Sequence, residues 1–154
     1  IMNRIEKVRE YIDKLIINIP DAEMRRCAYV HLYGVSQASA MIALKRDEDA
    51  ELSTIAGMLH DIYAYSNMER KEHAHKGAVM AKDILDAMEL FDESEISLIC
   101  GAIYNHSDKN IIHTAFDEVL KDADVMQHCL YDPLLSAERH EIKRFEKLKE
   151  EFGM

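Results

Sequence analysis

Apolar residues recur along this chain with the spacing of an α-helix. In the stretch 50–63 they stand at positions i, i+3, i+4, i+7, i+10 and i+11, which share one helical face. These residues are Leu52, Ile55, Ala56, Leu59, Ile62 and Tyr63. The chain shows no sustained alternation of apolar and polar residues, and it contains no Asn-Gly or Asp-Gly hairpin signal. The pattern therefore predicts an all-α fold.

The same spacing predicts the order of the helices. They cover residues 3–18, 22–33, a following segment to about Lys45, then 50–63, 73–90, 95–106 and 116–130. Gly34 is expected either to bend the chain or to divide the second segment from the third. Asp21, which follows Pro20, is a candidate N-cap. Met24 and Met41 are expected on inner faces.

Two polar stretches predict loops, at residues 65–72 and 107–114. The first comes shortly after His60-Asp61 and is a candidate lid. Pro133 is expected to start a charged last helix over residues 133–152, which packs on the outside. With 154 residues, 48% of them apolar, and no repeat or linker, the chain is expected to form a single helical bundle over residues 2–154.

Charge and composition exclude several classes of protein. Lys and Arg total 19 against 29 Asp and Glu, which gives a net charge of −10. Such a chain lacks the basic surface of a protein that binds nucleic acid polymers, although a bound cation can still attract a small phosphorylated substrate. No run reaches the roughly 18 apolar residues of a membrane helix, and the N-terminus does not resemble a signal peptide. Cys27, Cys100 and Cys129 are too far apart for a Cys-x-x-Cys site, and free thiols favour a cytoplasmic location.

Candidate metal ligands lie on the apolar faces of the predicted helices. They are His31, His60, Asp61, His73, His106 and Asp124. Taken alone, a histidine on such a face is more often a hydrogen-bonded core residue. A buried carboxylate at Asp124 is costly unless it is bound to a metal or paired, with Lys121 or Arg25 as possible partners. Taken together, residues of this kind on the inner faces of several helices favour a metal site.

The remaining histidines fit that site less well. His75 lies on a more solvated face than His73, and His140 lies in the charged C-terminal segment. His113 and His128 are weaker alternatives, and His128 is expected to pack against its neighbours or to face solvent.

Mixed imidazole and carboxylate ligation suits a divalent transition metal, namely Mn, Fe, Co, Ni or Zn. Four ligands, His31, His60, Asp61 and Asp124, suffice for one ion. His73 and His106 suit a second ion that shares Asp61. Two such ions can activate water and bind a phosphoryl group. Asp61 and His60 are therefore the candidate catalytic residues, and neither a Ser-His-Asp order nor a Gly-rich phosphate loop suggests a different nucleophile.

These residues resemble the signature of the HD-domain superfamily of metal-dependent phosphohydrolases, which is His, His-Asp and Asp on a helical bundle. The matching sequence segments are His31-Leu32-Tyr33-Gly34-Val35, Ile55-Ala56-Gly57-Met58-Leu59-His60-Asp61, Ala102-Ile103-Tyr104-Asn105-His106-Ser107 and Lys121-Asp122-Ala123-Asp124. The resemblance spans residues 22–130. With His73 and His106 the chain is similar to a branch that has two extra histidines, which is associated with two metal ions and includes hydrolases of diadenosine polyphosphates.

The resemblance implies hydrolysis of a nucleotide or another small phosphoester. An HD-type di-iron oxygenase and a non-catalytic metal- or nucleotide-binding regulatory domain are the alternatives. Many relatives carry a lysine shortly after the His-Asp pair, whereas this chain has Ile62-Tyr63-Ala64-Tyr65. Lys76 and Lys109 are weak candidates for phosphate binding, and Tyr65 is a candidate for lining the pocket. The outer helices either cover the core or form a homodimer contact.

Overall fold

The computed structural model describes residues 3–154, and these residues form eight α-helices and no strand. The bounds are α1 Arg4–Ile16, α2 Ala22–Arg46, α3 Ala50–Leu59, α4 Ile62–Asn67, α5 His73–Met88, α6 Glu93–Asn105, α7 Ala115–Tyr131 and α8 Ile142–Phe152. The predicted all-α class is confirmed. The expected start of the domain at Met2 lies outside the described residues.

Side-chain caps start most of these helices. The side chains that accept a hydrogen bond from a backbone N–H in the first turn are those of Asn3, Asp21, Asp49, Asp92 and Thr114. Each of these bonds satisfies one of the four N–H groups that a helix leaves unpaired at its start. The predicted N-cap at Asp21 is confirmed, because its carboxylate accepts from Met24 N–H at 2.7 Å.

The long helix α2 lies at the centre of the fold and packs against α3 and α7, while α5 and α6 form a second pair beside α3. All eight helices contribute to one apolar cluster. Its members include Val8, Ala28, Leu32, Ile55, Ile62, Ala81, Ile99, Val119 and Leu148. Within residues 3–154, no helix has both the length and the apolar character that crossing a bilayer requires.

The predicted interruption at Gly34 is wrong, because α2 is one helix of 25 residues. Glycine inside a helix costs only about 1 kcal/mol, which the packing of α2 against two neighbouring helices readily offsets. A Cβ at Gly34 would lie 2.8 Å from Cγ of Gln127, so the glycine lets α7 approach closely. The inward placement of Met24 and Met41 is also wrong, since their side chains are 39% and 44% exposed.

The helix predicted over residues 50–63 is divided in two. It ends at Leu59, and α4 begins at Ile62 and continues to Asn67. Asp61 has φ −109° and ψ 14°, so the helical backbone is interrupted there. The predicted loop over residues 65–72 is accordingly shorter, at residues 68–72, and Tyr65 is a buried helical residue.

The predicted C-terminal helix over residues 133–152 is wrong in its first nine residues, because α8 begins at Ile142. Asp132 starts a turn instead. Its carboxylate accepts from Leu134 N–H and its carbonyl accepts from Leu135 N–H. An Asp-Pro pair with such local hydrogen bonds favours a turn over a helix. Leu134 and Leu135 are exposed, so no apolar face is buried here that would stabilise a helix.

The contact between α2 and α3 requires a glycine on α3. A Cβ at Gly57 would lie 2.8 Å from Cα and 2.9 Å from the backbone nitrogen of Ser36. Because backbone cannot move aside cheaply, we expect Gly57→Ala to lower the free energy of unfolding by about 1–3 kcal/mol. Urea unfolding followed by circular dichroism measures this change.

The matched control is Gly101→Ala in α6. A Cβ at Gly101 would meet no neighbouring group of the described chain within 4 Å. We expect this variant to be more stable than wild type by about 0.5–1 kcal/mol, the usual difference between alanine and glycine inside a helix. Equal stability of the Gly57→Ala protein and wild type would contradict the close helix contact.

Candidate metal centre

Five segments of the chain place the six predicted ligands together. His31 lies on α2, His60 and Asp61 lie at the junction of α3 and α4, and Asp124 lies on α7. His73 is the first residue of α5, and His106 directly follows α6. Adjacent residues of a regular helix point about 100° apart, so His60 and Asp61 would diverge. The interrupted helix at Asp61 lets both side chains reach the same centre.

The first two histidines form a buried pair. Nε2 of His31 lies 3.1 Å from Nε2 of His60. At the opposite side of each ring, Nδ1–H donates to an oxygen, which is Oε1 of Gln127 for His31 and the carbonyl of Gly57 for His60, both at 2.7 Å. These oxygens only accept, so in the neutral rings the proton is on Nδ1 and both Nε2 lone pairs face each other.

His73 and His106 form a second pair of the same kind. Their Nε2 atoms lie 3.3 Å apart. Nδ1–H of His73 donates to the carbonyl of Arg70 at 2.9 Å, and Nδ1–H of His106 donates to the carbonyl of Ile103 at 2.6 Å. A hydrogen bond on the far nitrogen is the usual way in which proteins orient a metal-binding histidine.

The carboxylate of Asp61 lies between the two pairs. Its Oδ2 is 3.3 Å from Nε2 of His31 and 3.7 Å from Nε2 of His60. Its Oδ1 is 3.3 Å from Nε2 of both His73 and His106. One oxygen therefore faces each pair, which is the arrangement of a carboxylate that bridges two sites.

Asp124 faces the first pair through one oxygen only. Its Oδ1 lies 3.6 Å from Nε2 of His31 and 3.7 Å from Nε2 of His60. Its Oδ2 accepts a hydrogen bond from Nζ of Lys109 at 2.6 Å. Neither of the expected partners takes this place, because Lys121 pairs with Glu118 and Arg25 donates to the carbonyl of Ile19.

The two carboxylates of this centre are ionised, which favours cation binding. Burial raises the pKa of Asp61, but the surrounding imidazoles, His60 foremost, outweigh it and hold that pKa well below its usual range. Burial likewise raises the pKa of Asp124, and Lys109 and His60 lower it further than burial raises it. Burial lowers the pKa of His106. Burial also acts to lower the pKa of His60, but the charges of Asp61 and Asp124 raise it overall, so without a cation these groups share protons.

The geometry and chemistry of these residues fit a metal ion. Oδ1 of Asp61 and Oδ1 of Asp124 are buried and accept no hydrogen bond from any described residue. Unpaired buried carboxylate oxygens are costly unless a cation compensates them. Two imidazole nitrogens at about 2.0–2.1 Å from one ion would lie about 2.9–3.4 Å apart for angles between a right angle and the tetrahedral value. The observed separations of 3.1 Å and 3.3 Å match this range.

A cavity of about 410 Å³ adjoins His31. Tyr65 is among the residues that line it, and burial followed by the charge of Asp61 raises the pKa of this tyrosine to about 12. Neither Lys76 nor Lys109 is among the residues that line it. Lys76 pairs with Glu69 at 3.1 Å. Nζ of Lys109 donates to Asp124 and to the carbonyl of His106.

Two residues beside the centre, Arg70 and Gln127, were not among the candidate site residues, and a third, His128, was only a weaker alternative. Arg70 reaches to 3.9 Å from Oδ2 of Asp61 and lines the cavity. Gln127 orients His31. His128 stacks on His31 with ring centroids 5.0 Å apart, and its Nδ1–H donates to Glu141 at 2.8 Å. His128 follows Asp124 by one helical turn, and this spacing is the only sequence signal that pointed to any of the three.

His75 and His113 lie away from the centre. His75 stacks on Tyr104, and His113 contacts Nζ of Lys121.

Comparison with known proteins identifies the fold and the family. A crystal structure of a predicted HD superfamily hydrolase from an uncultured Thermotogales bacterium superposes with a TM-score of 0.64 at 20% identity. The match covers 96% of this chain and 88% of the other, and at this identity it shows a shared fold. A search of curated proteins gives no match. The family model of the HD domain matches residues 28–128, which contain all six convergent residues, and the chain therefore belongs to the HD-domain family.

Proposed function

We propose that this protein is a metal-dependent phosphohydrolase that acts on a nucleotide or another small phosphoester. The observation that supports it best is the position of Asp61 between two imidazole pairs, with one carboxylate oxygen facing each pair. Its Oδ1 is buried and has no hydrogen-bond partner among the described residues.

Two ions fit the arrangement better than one. His31, His60, Asp61 and Asp124 would hold the first, and His73, His106 and Asp61 would hold the second. The donors are imidazoles and carboxylates, which suit Mn, Fe, Co, Ni or Zn. We propose that the bound ions are from this group of metals and that both sites are occupied.

Divalent ions bound here would lower the pKa of coordinated water and polarise a phosphoryl oxygen, which is the chemistry that phosphoester hydrolysis requires. The chain supplies the geometry. The four Nδ1–H bonds fix the imidazole rings, and Lys109 holds Asp124 by Oδ2 and leaves Oδ1 free. Such fixed orientation is what metal sites need from the surrounding protein.

Metal content is the first test. We expect two ions per chain in wild type and about one in His73→Ala, because this change removes a ligand of one imidazole pair only. Elemental analysis of protein reconstituted with each of the five metals measures this.

His75→Ala is the matched control for the metal measurement. The residue lies on the same helix two positions further on, stacks on Tyr104 and takes no part in the centre, so we expect it to retain both ions. One ion in wild type and in His73→Ala alike would exclude His73 as a ligand. No bound metal under any condition would contradict the proposed function.

Hydrolysis is the second test. We expect Asp61→Ala to lose all phosphoester hydrolysis, because this carboxylate faces both pairs. A panel of aryl phosphates, nucleoside monophosphates and dinucleoside polyphosphates, assayed for released phosphate with metal-loaded protein, measures the loss.

Circular dichroism establishes that the Asp61→Ala protein is folded, and His75→Ala again serves as the active control. Hydrolysis by Asp61→Ala at the wild-type rate would exclude the mechanism. A reaction that stops under anaerobic conditions and consumes oxygen would favour di-iron oxygenase chemistry instead.

A further inference from the structure

Arg70 lies in the short loop between α4 and α5, and its backbone is tied to the metal centre. The first and last residues of the loop, Met68 and Glu72, have φ of 51° and 53°, a left-handed conformation that non-glycine residues seldom adopt. The carbonyl of Arg70 accepts from Nδ1–H of His73 at 2.9 Å. The loop is thus held in one unusual conformation against a histidine of the centre.

The guanidinium of Arg70 points to the centre but donates no hydrogen bond to it. Its Nη1 lies 3.9 Å from Oδ2 of Asp61, and the side chain is 71% exposed. An ion pair this long and this exposed contributes little stability. The guanidinium donates no hydrogen bond to any residue of the described chain, so its five N–H groups are available to a ligand.

The two lysines that the sequence offered for phosphate binding are occupied. Nζ of Lys109 donates to Asp124 and to the carbonyl of His106, both at 2.6 Å, and the side chain is buried. Nζ of Lys76 pairs with Glu69 and lies 5.3 Å from the ring centroid of Tyr63. Residues 62–69, which follow His60-Asp61, contain no Lys or Arg. Within residues 3–154, Arg70 is the cation beside the centre whose side chain donates no hydrogen bond to the protein.

The cavity next to Arg70 is unsuited to a chain of phosphates. Among the described residues that line it, Arg70 is the only Lys or Arg, whereas three carboxylates belong to it: Asp132, Glu138 and Glu141, the last of which accepts from Nδ1–H of His128. Much of the remaining wall is uncharged, and includes Cys27, Val30, Tyr65, Cys129, Leu135 and Ala137. Several additional phosphates would meet repulsion here, while an uncharged organic group would fit a volume of about 410 Å³.

We propose that Arg70 binds the phosphate of a phosphomonoester whose uncharged organic group occupies this cavity. Arg70 matches an anion with two parallel N–H groups, and the fixed loop places it beside the metal ligands. The proposal rests on the phosphohydrolase function for the reaction, but the anion site is testable without turnover.

The first experiment measures binding of inorganic phosphate to metal-loaded protein by titration calorimetry. We expect Arg70→Gln to weaken binding by roughly 10- to 100-fold, as loss of a charge-assisted hydrogen bond does, and Arg70→Lys to recover part of it. Lys71→Gln is the matched control, since it removes the same charge from the same loop, and Lys71 does not line the cavity. We expect that variant to bind phosphate within twofold of wild type.

Metal content and melting temperature are measured on the same Arg70 variants, and both are expected to be unchanged. Phosphate binding by Arg70→Gln equal to wild type, or weakened equally by Lys71→Gln, overturns the assignment of Arg70. Loss of metal or of fold in Arg70→Gln, without rescue by Arg70→Lys, also overturns it, because the residue would then be structural.

The second experiment tests the substrate class. We expect kcat/KM for a nucleoside monophosphate to exceed that for the corresponding triphosphate and dinucleoside tetraphosphate by at least roughly 10-fold, the effect of about 1.4 kcal/mol of repulsion. Val30→Trp narrows the cavity and should raise KM for the nucleoside ester without changing affinity for inorganic phosphate. Val79→Trp, at an exposed position of α5 that is not part of the wall, should change neither.

The outcomes separate the two proposals. Hydrolysis by wild type that favours polyphosphates overturns the substrate class and leaves the phosphohydrolase function intact. Phosphate binding that depends on Arg70, without hydrolysis of any ester, overturns the function and supports the anion site.

Discussion

The electrostatic environment of one carboxylate governs this site. Asp61 is almost completely buried, yet no described residue donates a hydrogen bond to its Oδ1. Burial alone would favour the protonated acid, but four imidazoles around it keep it ionised. Anionic oxygens and imidazole lone pairs that all face one small volume repel one another unless a cation lies among them. The surrounding helices must therefore hold a set of groups that would separate if free.

The fold supplies that restraint through helix ends and cross-helix contacts. Two of the four histidines, His60 and His106, cap the C-terminal ends of α3 and α6, and each donates Nδ1–H to a carbonyl three residues earlier. These carbonyls belong to the last turn of their helices, where carbonyls lack the usual partner four residues further on, and that of Ile103 also accepts from His106 N–H at 3.3 Å. The same hydrogen bond therefore satisfies a helix end and orients an imidazole. His31 is held differently, by Gln127 on α7, and this contact depends on the close approach at Gly34.

The sequence predicted the convergent residues well because each lies where periodicity is informative. His31 follows Ala28 by three residues and Asp124 follows Leu120 by four, so each shares a helix face with a core residue and must point inward. The structure brings together all six residues that were selected on this basis. Their role as ligands stays a prediction.

Periodicity could not predict contacts made by loops or across helices. Lys109 lies in the polar stretch 107–114, and nothing in that stretch indicates that its side chain folds back onto Asp124. Arg70 depends on left-handed backbone at Met68 and Glu72, which are not residues that signal such a conformation. The division of the helix at Asp61 was hidden for another reason, since the apolar spacing continues through Ile62 across the interruption.

The backbone and the side chain of Arg70 have different roles at the site, and this restricts how the sequence around it can change among homologues. Its carbonyl orients His73 while its side chain faces the cavity, so an insertion or deletion in residues 68–72 would disturb both at once. The turn at residues 132–140 contributes Leu135, Ser136 and Ala137 to the cavity wall and includes none of the six convergent residues. Among homologues, changes in the size and polarity of the bound molecule would therefore arise most readily in that turn, while the length of the α4–α5 connection stays constant.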